Sequence, residues 1–267
     1  MEPITLGQCV RGAWVGGCVA MARRPGVAFA SLVSLLILNL GRLAFPVAAP
    51  LAAGRLHAMT SMFVGLQTLI GTALSVYVIR YMLLDDHERD SSGEFFRAWL
   101  RYVRVNVMLG FIMSIPVVAI VLAVLVGLPH LLHAWGLPAR PLAMKFLVVV
   151  LTLAAVCIML AVYFRFGLLG CHVAIGGQAS WRAAWRDSRE HVWSIFAAHF
   201  VTWLPILAVW IALFVVMHVH AKSVGVPVSP GWIACLRVFG SFVGTYTSSA
   251  CASWLYRRFA ARLLFET

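Results

Sequence analysis

Apolar runs long enough to cross a bilayer, about 20 residues each, recur six times along the chain, at 27–45, 58–84, 105–128, 142–164, 194–217 and 231–256. A segment inside lipid must satisfy its backbone hydrogen bonds internally, so the runs predict six transmembrane helices. Between them the pattern changes period. Trp181, Ala184, Trp185, Ser188, Val192 and Ile195 fall three or four residues apart, and Arg182, Arg186 and Arg189 form a second row. Phe95, Phe96, Trp99 and Val103 repeat the apolar row, with Arg97, Arg101 and Arg104 as its partner. Such a two-sided stripe predicts a helix lying in the interface, rings in the acyl boundary and guanidinium groups among the headgroups. A weaker copy sits before the first run, where Thr5, Gly7 and Arg11 precede Ser91, Gly93 and Arg97 by 86 residues. The fold class this implies is all-α: a polytopic membrane protein with six transmembrane helices and three cytoplasmic in-plane amphipathic helices.

The recurrence extends further. "GLPARPL" at 136–142 returns as "GVPVSPG" at 225–231, with Gly136/Gly225, Pro138/Pro227 and Pro141/Pro230 each 89 residues apart. The same offset relates Ser91 to Ser180, Phe96 to Trp185, Arg97 to Arg186, Phe111 to Phe200 and Pro116 to Pro205. Periods of this kind mark repeat architectures. One transmembrane domain over 1–267 then contains three units, approximately 1–89, 90–178 and 179–267. Each has an amphipathic helix, a span, an outer loop and a second span. An even number of spans returns the chain to its starting side, so the units are parallel repeats about an axis along the membrane normal.

Charge orients this layout. Fifteen of the 21 Lys and Arg residues fall on the side shared by the termini and the loops after the second and fourth spans. All nine acidic residues fall there as well. The positive-inside rule makes that side cytoplasmic. The net charge of +12 thus reports topology and contact with anionic lipid, and no nucleic-acid partner follows from it. A content of 62% hydrophobic residues excludes an ordinary soluble domain, for which about 45–50% is usual. No cleavable leader is recognised before the first span, whose N-terminal flank carries Arg11, Arg23 and Arg24. That span is expected to remain as an anchor.

Candidate chemistry is sparse. The six cysteines show neither C-x-x-C nor zinc spacing. "DDHERD" at 85–90 is the one crowd of carboxylates with a histidine, and reads as a solvated turn. His57, His130, His133, His218 and His220 gather towards the outer face without carboxylate or cysteine partners. No catalytic residue, metal or cofactor is therefore assigned. H-E-x-x-H, G-x-S-x-G and Walker motifs are absent, and no Asp or Glu lies inside a span. A possible polar path remains, formed by Thr68, Thr72, Ser75, His199 and Thr247; an ionisable group within a span is a functional hypothesis by default. Small residues at Ser61, Gly65, Thr68, Thr72 and Ser75, and at Gly240, Gly244, Thr247 and Cys251, form seams suited to close helix packing. The anionic-lipid candidates are Arg97, Arg101, Arg104, Arg182, Arg186 and Arg189.

The stretch from Arg165–Phe166 through Ala184, Trp185, Arg186, Asp187 and Ser188 to Trp193, Ile195 and Phe196 resembles bacterial six-span inner-membrane proteins of unknown function. It is similar too to the membrane domain attached to some glycerophosphodiester phosphodiesterases. The resemblance implies a bacterial inner-membrane location and a link to lipid or envelope metabolism. The soluble phosphodiesterase domain has no counterpart here, so its activity does not carry over. Three functions stay open: a non-enzymatic membrane protein accompanying lipid or envelope machinery, with anionic lipids and membrane proteins as partners; a transporter of an anionic or amphiphilic solute; and a membrane-embedded enzyme. Reporter fusions at Thr267 and within 136–141 are expected to report opposite sides of the membrane, and agreement between them would refute six spans.

Overall fold

The computed structural model describes residues 5–48, 53–84, 92–122, 141–225, 228–261 and 263. Among them are eight helices: α1 (Leu6–Arg23), α2 (Pro25–Ala48), α3 (Ala53–Leu83), α4 (Ser92–Leu122), α5 (Pro141–Ala174), α6 (Trp181–Arg189), α7 (Val192–Val224) and α8 (Pro230–Phe259). The fold is all-α. Five helices, α2, α3, α4, α5 and α7, are long and apolar enough to cross a membrane. With 30 residues α8 is also long enough, but its serines, threonines, glycines and tyrosines keep it less apolar.

Burial explains that difference. Thirteen residues of α8 are buried, from Ala234 to Tyr256. It touches α1, α2, α3, α5 and α7, so its faces meet protein where those of the other long helices meet the surroundings. Its hydroxyls are satisfied locally: Thr245 donates to the Ser241 carbonyl at 2.8 Å, and Ser253 to that of Ser249 at 2.9 Å. Small residues then let neighbours come close. A Cβ on Gly244 would lie within 3.2 Å of three atoms of the Trp203 ring, and Gly240 lies in the same way under Trp210. The seam at Gly240, Gly244, Thr247 and Cys251 is thus a packing surface. By contrast Ser61, Gly65 and Thr68 of the α3 seam are exposed.

The remaining packing follows a regular pattern. Helices α3, α5 and α8 touch one another in the middle. Around them α2 contacts α3 and α8, α4 contacts α5 and α3, and α7 contacts α8 and α5. The dense core lies in the C-terminal halves of the inner three, around Ile79, Leu168, Leu169, Tyr246 and Leu255. The outward faces of α4, α5 and α7 carry exposed Phe111, Ile115, Val149, Leu153, Val209 and Phe214. An apolar surface of that extent belongs in lipid.

The expectations for the amphipathic segments are corrected. Residues 95–104 do not form a separate in-plane helix but the opening turns of α4, which runs unbroken from Ser92. No Gly or Pro interrupts the register there until Gly110 and Pro116, and Trp99 is held by a bond from its Nε1 to Thr72 Oγ1 at 3.2 Å. Nor does α1 stand apart as a helix with one face free of the bundle's long helices. Its Gly12, Gly16 and Gly17 approach Trp254, Ala250 and Thr247 in turn, so it runs antiparallel along the later part of α8. Cys9, Ala13, Gly17 and Ala20 form the buried side. Thr5 and Gln8 close its N-terminus with reciprocal bonds of 3.3 and 2.8 Å, and Pro25 starts α2 at a position where its missing N–H costs nothing. α6 is a short, separate helix, but it ends at Arg189, so Val192 and Ile195 of the expected stripe belong to α7, and its buried side is Ala183, Ala184, Asp187 and Ser188 while Trp185 is exposed.

Substituting Gly244 by Val should force Trp203 off α8. The overpacking is expected to cost about 1–3 kcal/mol, read as a lower unfolding midpoint in detergent. Val at the exposed Gly65 is expected to cost less than 1 kcal/mol on the same scale.

Candidate functional site: an arginine–tryptophan groove beside a hydroxyl-lined cavity

At its end α5 turns through a Schellman-type closure. Gly176 has φ +109°, the Gly177 N–H donates to the His172 carbonyl at 3.0 Å, and the Gly176 N–H to that of Val173 at 3.1 Å. This turn sends α6 back along α5. The ring of Phe166 then stands edge-on to Trp181 at 5.0 Å and tilted against Trp185 at 5.7 Å. The Arg165 guanidinium lies over the Trp185 ring, 4.1 Å from its centre, a cation–π contact. On the other side of α6, Ala183, Ala184, Asp187 and Ser188 are buried. Asp187 accepts a hydrogen bond from the Leu263 N–H at 3.0 Å, tying Leu263 beneath α6. Phe166, Trp181, Arg182, Trp185 and Arg186 enclose an open groove of about 300 Å³.

Helix ends nearby are closed by arginines, since the last carbonyls of a helix lack intrahelical partners. Arg80, buried at 4% exposure, donates to the Ala174 carbonyl at 3.4 Å and pairs with Glu94 at 3.8 Å. Arg101 donates to the Gly176 carbonyl at 2.7 Å, and Arg257 to that of Met82. His172 Nδ1 and the Tyr256 hydroxyl, both buried, lie 2.8 Å apart. The six arginines expected to meet lipid therefore divide. All six are exposed on α4 and α6, but the Arg101 guanidinium is engaged with the Gly176 carbonyl.

A larger cavity, about 370 Å³, opens between α3, α4, α5, α7 and α8, and Phe166 is part of its wall as well. Of the five residues expected to form a polar path, Ser75 and His199 line it. Thr68 is exposed and donates to the Val64 carbonyl at 2.9 Å. Thr72 is engaged with Trp99, and Thr247 is buried with its hydroxyl on the Val243 carbonyl at 3.0 Å. They do not form one continuous path. Asn106, Tyr102, Tyr163, Ser241, Thr245, Ser248 and Ser249 add to the polar lining. Of these residues, which the sequence reading missed, Asn106 stands in the sequence as an amide at the start of an apolar run.

Among the described residues no three His, Cys, Asp or Glu side chains are grouped to hold a metal ion. His218 stacks on Phe214 at 6.2 Å, and His57 and His220 are exposed; His130, His133 and "DDHERD" lie outside the described residues. Comparison with protein-family models, with curated proteins and with solved structures finds no match to this chain.

Asp187 carries the clearest structural role at this site. Asp187→Ala would leave the buried Leu263 N–H unmatched and is expected to cost about 1–3 kcal/mol. Limited proteolysis should show faster loss of the C-terminal residues, whereas Asp187→Asn, which keeps an acceptor oxygen, should lose less.

Proposed function

We propose that the chain is a non-enzymatic, six-span protein of the bacterial inner membrane that binds anionic lipids at its cytoplasmic, arginine-rich end and accompanies lipid or envelope machinery. In this reading α8 is the sixth span, enclosed by the others, and both termini are cytoplasmic. The chain is built from three parallel units. Support for the units comes from the helix starts, Ser92 and Trp181 on one hand and Pro141 and Pro230 on the other, each pair 89 residues apart. It also comes from the cyclic packing, in which every first span touches its own second span and that of the unit before. The leading segments follow the same rule: α1 contacts α8, the start of α4 contacts α3, and α6 contacts α5.

The observation that carries the lipid reading is the groove on α6, with Arg182 and Arg186 exposed beside Trp181 and Trp185. Indoles favour the level where headgroups meet acyl chains, and guanidinium groups match phosphate oxygens in a two-pronged geometry. Each arginine near an anionic leaflet contributes about 1 kcal/mol. Glu190 and Asp187 offset part of that field. A transporter reading has one observation in its favour, the cavity beside the groove.

Replacing Arg182, Arg186 and Arg189 together by Gln is expected to weaken binding of phosphatidylglycerol and cardiolipin by up to about 3 kcal/mol at low salt. The loss shrinks as salt screens the charges. Arg101→Gln should lose less lipid, because its guanidinium is engaged with Gly176. Native mass spectrometry at two ionic strengths checks both. Full retention of anionic lipid by the triple variant would remove the groove from the account.

A further inference from the structure

The cavity behind Phe166 differs in chemistry from the groove in front of it. None of its lining residues is Asp, Glu, Lys or Arg. An anionic headgroup placed there would meet no counter-charge, and burying an uncompensated charge is prohibitive. The occupant it fits is uncharged.

The hydrogen bonds narrow the class further. His199 Nδ1 lies 3.0 Å from the Ile195 carbonyl; a carbonyl only accepts, so Nδ1 carries the hydrogen and the neutral ring keeps its lone pair on Nε2. With no carboxylate in the lining to balance an imidazolium, the neutral ring is the form that fits. Asn106 donates to the Tyr102 carbonyl at 2.9 Å, Ser75 to that of Gly71 at 3.0 Å, and Thr245 to that of Ser241 at 2.8 Å. The Ser75 and Thr245 hydrogens and one of the two Asn106 hydrogens are thus used on their own helices, leaving the oxygens of these groups as acceptors. Ser248 accepts a bond from Trp203 Nε1 at 3.4 Å. The wall is mixed in its donors and acceptors, but His199 Nε2 can only accept and is matched by a donor on the occupant. Ester and phosphate oxygens bring only acceptors, whereas an alcohol brings a hydrogen. At the wall's edge Tyr163 of α5 and Trp203 of α7 remain 44% and 41% exposed, giving a sideways mouth between these two helices through which acyl chains can leave for the bilayer.

We propose that this cavity binds the hydroxyl-bearing end of a neutral lipid of the diacylglycerol class, with the hydroxyl donated to His199 Nε2 and the chains extending between α5 and α7. The site is separate from the anionic-lipid groove and does not depend on it. Its volume of about 370 Å³ is at the lower end of ligand pockets, roughly 300–1,000 Å³. It suits a three-carbon end with its ester linkages better than a whole lipid.

The test is a native mass spectrometry titration of the full-length protein in detergent with three probes: dioctanoylglycerol, its methyl ether, and dioctanoyl phosphatidic acid. Dioctanoylglycerol should bind one to one, about tenfold more tightly than the methyl ether, as loss of one matched hydrogen bond implies. Phosphatidic acid should gain nothing at this site. His199→Phe and Ser241→Leu should each weaken dioctanoylglycerol by about tenfold, while the Arg182, Arg186 and Arg189 triple Gln variant binds it as the parent does. Ser241 is exposed, so the second variant reads the cavity even where the first fails to fold. Equal binding of the methyl ether overturns the proposal. So does unchanged binding of dioctanoylglycerol by Ser241→Leu with a parent-like unfolding midpoint, or its loss in the arginine variant.

Discussion

One helix without enough apolar surface for lipid holds the molecule together. Tyr246, Thr247, Ser249 and Ser253 of α8 are buried, and in hydrocarbon each would be a liability. They are tolerated because five other helices cover them, and because the small residues among them allow backbones to approach where no hydrophobic force drives association. Trp203 and Trp210 of α7 fill the spaces over Gly244 and Gly240, so dispersion contacts at close range take over the role that water exclusion has in a soluble core. The polarity of α8 and the tightness of the bundle are therefore one property.

The arginine-rich end serves two needs at once. Helices that finish near the interface leave carbonyls without partners, and Arg80, Arg101 and Arg257 fill three of those vacancies from neighbouring helices. The arginines of α6 face outward instead. Both groups count equally in a tally of positive charge, yet the first binds helix to helix and the second suits phosphate. Phe166 stands at the boundary, one side of its ring in the charged groove and the other in the uncharged cavity.

The helices were largely legible from periodicity, because an apolar run has few alternatives in lipid: α2, α3, α5 and α7 begin within a few residues of where the pattern places them. The proline-bearing starts of α5 and α8 were legible for a local reason, the ease with which proline opens a helix. What escaped were features that depend on partners far away in the chain. Nothing in "TLGQCVRGAWVGG" tells that α1 will pack along α8, because its small face reads equally well as weak amphipathicity. The unbroken course of α4 through Phe95–Arg104 was hidden by an arginine row that resembles an interfacial helix. The cavity was half visible: His199 and Ser75 stood out as polar groups in apolar runs. Asn106 and Tyr163 gain meaning only once α4 and α5 are side by side.

The pairing of the first helix with the last has a consequence in time. α1 is synthesised more than 200 residues ahead of the surface that residues 246–254 supply to Gly12, Gly16 and Gly17. At about 5–20 residues per second the interval is roughly 12–46 s. During it α1 gains α2 and α3 as neighbours, with the Tyr77 hydroxyl donating to the Ala20 carbonyl at 3.3 Å, but its contact with α8 has yet to form. The seam between α1 and α8 can close only once α8 has been made, so a protein truncated before α8 would keep the other long helices and lose that seam. The contact between these two distant helices is thus a late step in the assembly of the bundle.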